Sequence, residues 1–178
     1  MEAANENRRY MPSRMSHEAF LDVFGGVYEH SPWIAEAVYA GGLSGSQDTI
    51  AGLHGSFRMQ VDEADDDRKL ALLRAHPDLA GKLAVAGDLT SDSTSEQASA
   101  GLDKCTPDEF AEFASLNERY NKTFGFPYIL AVRGRNRQEI LDNFRTRVKN
   151  TPDIEFVEAL KQVHRIALLR IEALFQEK

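Results

Sequence analysis

From Pro152 to the C-terminus, the apolar residues Phe156, Leu160, Val163, Ala167, Ile171 and Leu174 recur at three-, four- and seven-residue intervals. That spacing lays them along one face of a helix roughly 35 Å long. Such a stripe has to be buried against other elements. The period-two alternation that builds strands is nearly absent elsewhere, so the cover must come from helices. The expected fold class is all-α, a single-domain bundle of about six to eight helices.

Caps and breakers divide the remaining chain. Residues 1–15 read as a loose N-terminal arm, and 16–178 as the helical domain. Ser16 offers an N-cap for a helix over about 17–28. Pro32 opens a second that Gly41-Gly42 ends near residue 40. Further helices are expected over about 47–63, 66–75, 93–103, 107–123, 135–149 and 152–176. The helix from 66 must stop near Ala75-His76, because Pro77 disfavours helical geometry in the residue before it. Thr106, Pro107 and Glu109 form a capping box with proline at the first helical position. Gly125 and Pro127 end that helix. Tyr128–Val132 is an apolar run too short for a helix of its own and reads as an extended segment.

Several function classes are disfavoured. The formal net charge of −7 repels phosphate backbones, so no nucleic-acid partner is expected. The arginines at 133, 135, 137, 145 and 147 are too few and too local for a DNA footprint. One cysteine, Cys105, allows no internal disulfide and suits a reducing compartment. No apolar run approaches a membrane span, and the polar start lacks a secretory leader's apolar stretch, so a cytoplasmic protein with no membrane partner is expected. The five histidines show no metal-ligand spacing, and no phosphate-binding glycine loop or nucleophile elbow appears, so no metal or other cofactor is expected.

Three clusters could carry chemistry. His76-Pro77-Asp78-Leu79 follows a helix end, where the imidazole either faces a cleft or merely caps the helix carbonyls. Ser93-Thr94-Ser95-Glu96-Gln97 contains Ser-x-x-Glu. It reads as a capping box with Ser93 at N-cap and Glu96 at N3, or as a polar wall for a substrate. Phe124-Gly125-Phe126-Pro127-Tyr128 is either a helix stop with core aromatics or an extended backbone whose amides face a ligand. Arg170 lies on the apolar stripe of the last helix, whereas Arg165 faces the other way. A buried arginine requires an anion, supplied by a protein carboxylate or by a substrate. Asn117 shares a face with Phe113, Tyr120 and Phe124, as a hydrogen-bonded core asparagine does.

His-Pro-Asp-Leu, Ser-x-x-Glu-Gln and Phe-Gly-Phe-Pro, in this order and spacing, resemble the 2-oxo-4-hydroxy-4-carboxy-5-ureidoimidazoline (OHCU) decarboxylase family. The similarity runs from about residue 16 to 175. It implies an all-helical homodimer that uses no cofactor and decarboxylates a small ureidoimidazoline to (S)-allantoin in urate breakdown. It implies catalytic His76 and Glu96. It also implies substrate contacts from Pro77, Ser93 and Gln97, from Phe126, Pro127, Tyr128, Ile129 and Leu130, and from Arg170. Tyr128 stands where many members carry phenylalanine.

Overall fold

Side-chain caps set where most helices begin. Ser16, Thr49, Thr90, Thr106 and Asn136 each accept a hydrogen bond from a backbone amide three residues on. Each thereby satisfies a donor that a helix start would otherwise leave orphaned. The computed structural model describes residues 9–81 and 87–176. Among them are eight α-helices and no strand: α1 (His17–Phe24), α2 (Trp33–Ala40), α3 (Ile50–Asp62), α4 (Asp66–Arg74), α5 (Ser91–Ser99), α6 (Pro107–Phe124), α7 (Arg137–Arg147) and α8 (Pro152–Gln176). The all-α expectation holds. The capping box at Thr106 and Glu109 is present, and Asn136 with Glu139 forms a second one at the start of α7.

Some boundaries moved. The first helix stops at Phe24 rather than running to 28, and Val27, Tyr28 and Glu29 turn into the interior. A side chain at Gly25 would sit 2.5 Å from the Leu21 carbonyl, so glycine is needed where the chain leaves the helix. The third begins at Ile50, because Thr49 caps it and Gln47 belongs to the preceding turn. Of the expected loose arm, residues 1–8 lie outside the described residues. Pro12–Arg14 forms a 3-10 turn, with the Ser13 amide and hydroxyl on the Asp48 carboxylate at 2.8 and 2.7 Å.

The helices gather into two compact units, whose described residues fall within Met1–Leu72 with His164–Lys178, and within Leu73–Val163. The first has an aromatic core in which Phe20 lies beside Phe24 and Phe57, and Tyr28 stacks on Phe57. Ile34, Leu53, Val61, Ala167 and Ile171 complete it. Its buried polar groups are paired. His164 bonds the Tyr28 hydroxyl through Nδ1 (2.9 Å) and Asp62 through Nε2 (3.2 Å).

The second unit carries a larger aromatic cluster. Tyr128 stacks on Phe144 with centroids 3.7 Å apart, and Tyr120 packs edge-on to Tyr128, Phe126 and Phe144. Beneath it lies a buried ion pair in which Arg147 donates to Glu155 through Nε and Nη2. Glu155 also accepts from the Tyr120 hydroxyl and from Asn150. The segment from Gly125 to Val132 forms neither helix nor strand, and from Phe126 onward it runs buried beside this cluster.

Candidate functional site

The second unit holds nearly all the residues that the sequence singles out. Helix α4 ends at Arg74, and Pro77 prevents its continuation. The His76 amide still reaches the Leu73 carbonyl at 3.2 Å, which fixes the histidine as the last residue of the departing turn. His76 is buried, and with Arg74, Pro77, Asp78, Asn117 and Pro127 it lines a cleft of about 570 Å³. That size suits a small polar metabolite.

The capping-box reading of Ser93 and Glu96 is overturned. Thr90 is the N-cap and its hydroxyl oxygen accepts the Ser93 amide at 3.2 Å, so α5 starts two residues earlier than expected. Ser93 is then the third residue of the helix rather than its cap, and Glu96 lies in the second turn, where no N-cap role exists for it. Ser93 and Gln97, four apart, are buried on one face, and Glu96, three after Ser93, is half-buried beside them. The competition between capping and substrate contact at Glu96 therefore disappears.

Gln97 faces the turn that carries His76. Its Oε1 accepts the Ala80 amide at 3.0 Å, and its Nε2 lies 3.5 Å from the Asp78 carbonyl. Gln97 also lines a second cavity of about 520 Å³, more apolar than the first, with Leu89, Ala98, Leu102, Cys105 and Phe110.

Within Phe126–Leu130, Pro127 borders the His76 cleft, while the Tyr128 side chain turns toward the core. The Tyr128 hydroxyl donates to Asn143 at 2.6 Å, and burial pushes its pKa well above the usual phenol range. The Ile129 carbonyl accepts from Arg147 Nη1, and the guanidinium also lies 4.8 Å over the Tyr128 ring. The Ala131 amide donates to Gln162 Oε1 at 3.1 Å. The neighbouring amides of Ile129 and Leu130 donate to no acceptor among the described residues. Buried amides without internal partners are costly unless another group meets them.

Arg170 belongs to the first unit. Its Nη1 is 2.8 Å from Glu29 Oε2 and 3.4 Å from the Val27 carbonyl, with both side chains buried. Of the two anions weighed for it, the protein carboxylate is at hand.

Sequence reasoning missed Arg74 and Asn121 and favoured a core asparagine over a ligand at Asn117. Arg74 donates from Nε to the Gly125 carbonyl at 2.8 Å and brings a guanidinium to the cleft rim. Asn117 and Asn121 both line the cleft, and their i, i+4 spacing on α6 was the available signal. Among the described residues no group of three or more histidine, cysteine or acidic side chains could hold a metal ion, and no helix is long and apolar enough to cross a membrane.

An all-α scaffold with a buried histidine on a metabolite-sized cleft of mixed polarity defines a class of proteins able to do acid–base work on a compact ligand. Comparison narrows that class. Residues 13–172 match the OHCU decarboxylase family. The 2-oxo-4-hydroxy-4-carboxy-5-ureidoimidazoline decarboxylase of Haloferax volcanii is 37% identical over 166 residues, which is 93% of this chain and 95% of that protein. A crystal structure of (S)-allantoin synthase superposes with a TM-score of 0.73 at 33% identity, covering 92% of this chain and 52% of that one. The fold is shared as well with a crystal structure of OHCU decarboxylase in the presence of (S)-allantoin. There the TM-score is 0.67 at 24% identity, over 85% of this chain and 96% of the other. The chain belongs to the OHCU decarboxylase family.

Proposed function

We propose that this protein is a carboxy-lyase that converts 2-oxo-4-hydroxy-4-carboxy-5-ureidoimidazoline to (S)-allantoin in urate catabolism, without a cofactor. The observation that carries the reading is His76, buried on the wall of a metabolite-sized cleft in a chain whose family match is nearly full-length. The substrate carries its carboxylate on ring carbon 4, beside a hydroxyl and next to the C=N carbon that bears the ureido group. When the C–C bond to the carboxylate breaks, CO2 leaves and the electron pair shifts into a C4=C5 bond, with the imine nitrogen as sink. That nitrogen takes one proton. The hydroxyl then gives up its proton as C4 becomes a carbonyl, and C5 receives one, which sets the handedness of allantoin.

The protein has to hold the scissile bond perpendicular to the ring, stabilise the charge that moves, and supply a proton on one face. Imidazole is the usual side chain for general acid–base work, and His76 supplies one on the cleft wall. Glu96, released from any capping role, takes the hydroxyl proton or polarises His76. Ile129 and Leu130 offer their amides to the ring oxygens, and Pro77, Ser93, Phe126, Pro127 and Tyr128 shape or support the pocket. Gln97 contributes through Nε2, since its oxygen holds Ala80. Arg170's contact with Glu29 supports its structural alternative. A crystal with bound allantoin in which Arg170 touches ligand would restore the other. A cytoplasmic homodimer is the proposed working form, and the elution volume of the purified protein tests the dimer.

The deciding experiment generates the substrate in situ from urate with urate oxidase and hydroxyisourate hydrolase, and follows circular dichroism. Fast appearance of (S)-allantoin is expected. His76→Ala and Glu96→Ala are each expected to lower the rate ~10²–10⁴-fold with the helical spectrum unchanged. Racemic allantoin at the uncatalysed rate from folded wild-type protein would refute the assignment.

A further inference from the structure

The turn that delivers His76 into the cleft is held by side chains of which the scheme above uses only Gln97. Three polar groups of its backbone, one on each of three successive residues, are taken by amide side chains from two helices. The Asp78 carbonyl lies 3.5 Å from Gln97 Nε2, the Leu79 carbonyl accepts from Asn117 Nδ2 at 2.9 Å, and the Ala80 amide donates to Gln97 Oε1 at 3.0 Å. The Asp78 carboxylate adds a fourth contact, accepting from Asn121 Nδ2 at 3.0 Å. Asn121 Nδ2 is itself steadied by the Asn117 carbonyl at 2.9 Å.

The turn needs such restraint. Ala80 sits at φ +48°, in the left-handed region that residues with a Cβ avoid. Backbone in such a state persists only where its surroundings over-determine it. A side chain at Gly81 would lie 2.7 Å from the Asp78 Cβ, so the chain is closed tightly on itself there. Asn117 also points away from a purely packing role. It is 5% exposed, and its Oδ1 has no hydrogen-bond partner among the described residues. Leucine would fill that space without leaving a buried acceptor unmatched.

We infer that Asn117 and Asn121 of α6, with Gln97 of α5, are positioning residues that clamp the His76–Gly81 turn and so set the direction in which His76 enters the cleft. The inference deepens the decarboxylase reading and rests on it for the role of His76. Misplacing a reacting group by about 1 Å costs up to ~10²-fold in rate, so losing the clamp should act on kcat more than on KM.

The test uses an exchange of partners. Asn121→Asp sets two carboxylates against each other, whereas Asp78→Asn alone keeps an acceptor for Asn121. The double variant Asn121→Asp/Asp78→Asn restores a donor–acceptor pair in reverse. Asn121→Asp is expected to lower kcat ~10–100-fold, with a smaller change in KM and faster hydrogen exchange at the Ala80 amide. The double variant is expected to recover wild-type exchange and kcat within about threefold, the allowance that context-dependence of such contacts requires. Wild-type kcat in Asn121→Asp despite accelerated exchange at Ala80 would overturn the inference, as would a double variant that regains exchange and melting temperature but not kcat. Exchange at Ala80 does not depend on turnover. Inactive wild-type protein would therefore count against the decarboxylase reading, while normal Ala80 exchange in Asn121→Asp would count against the clamp.

Discussion

Replacing Glu155 by alanine should be among the most damaging single changes in the second unit. The side chain is fully buried, and its two oxygens accept from Arg147 Nε, Arg147 Nη2, Asn150 Nδ2 and the Tyr120 hydroxyl. Removal strands a guanidinium that is itself 4% exposed, together with a phenol whose pKa burial already drives upward. Breaking one side of a buried ion pair typically costs ~3–5 kcal/mol, because the remaining charge has neither water nor partner. For a chain of this length, each kcal/mol lowers the melting temperature by about 2–4 °C, so a fall of roughly 6–20 °C is expected. The double change Arg147→Met/Glu155→Leu removes both charges and fills the space, and should recover most of that loss. It should not recover activity in full, because Arg147 also holds the Ile129 carbonyl, and the neighbouring amides are proposed substrate donors. Urea unfolding at neutral pH measures the first effect and allantoin formation the second. A Glu155→Ala loss below about 1 kcal/mol would refute the argument, since it would mean that the Arg147 charge finds water or another partner at little cost.

Two further outcomes follow from local geometry. Burial holds the His164 pKa below its ordinary value, opposed by Asp62 and aided by Arg58 and His54; the Tyr28 hydroxyl faces its other nitrogen. Between the lowered folded value and the unfolded ~6.5, the unfolded chain binds more protons, so this contribution is complete above ~6.5 and lost as pH falls through that window. Urea midpoints between pH 5 and 8 should drop on the acid side, and His164→Gln should flatten that drop; an equally steep drop in the variant would remove His164 as its cause. At α5, Thr90→Ala should cost about 1 kcal/mol as a lost N-cap, whereas Ser93→Ala should leave the cap intact and raise KM. Equal destabilisation by both changes, read from urea curves, would return Ser93 to the capping role.

Much of the site was legible because its signals are short-range. Pro77 ends α4 beside His76 whatever lies across the cleft. Thr106, Pro107 and Glu109 start α6 through contacts within four residues, and Gly125 stops it at φ +75° where other residues are strained. Local pattern also misled: Ser93 and Glu96 fit the capping-box spacing, yet Thr90 fits the N-cap equally well three residues earlier, and nothing within the segment ranks the two.

Which stretches become helices was legible in the sequence, because periodicity and caps act within a turn or two of chain, and the ordered motifs marked the family; several helix ends were not. Tertiary structure alone decided what the buried polar groups do. Asn117 meets a carbonyl 38 residues away, and Asn121 a carboxylate 43 residues away. Arg147 binds a carbonyl 18 residues back, and Arg170 finds Glu29 near the other end of the chain. A hydrogen bond needs its donor and acceptor within about 3 Å. Sequence spacing carries no such distance once the chain has turned through a loop, so these pairings exist only where packing brings the helices together.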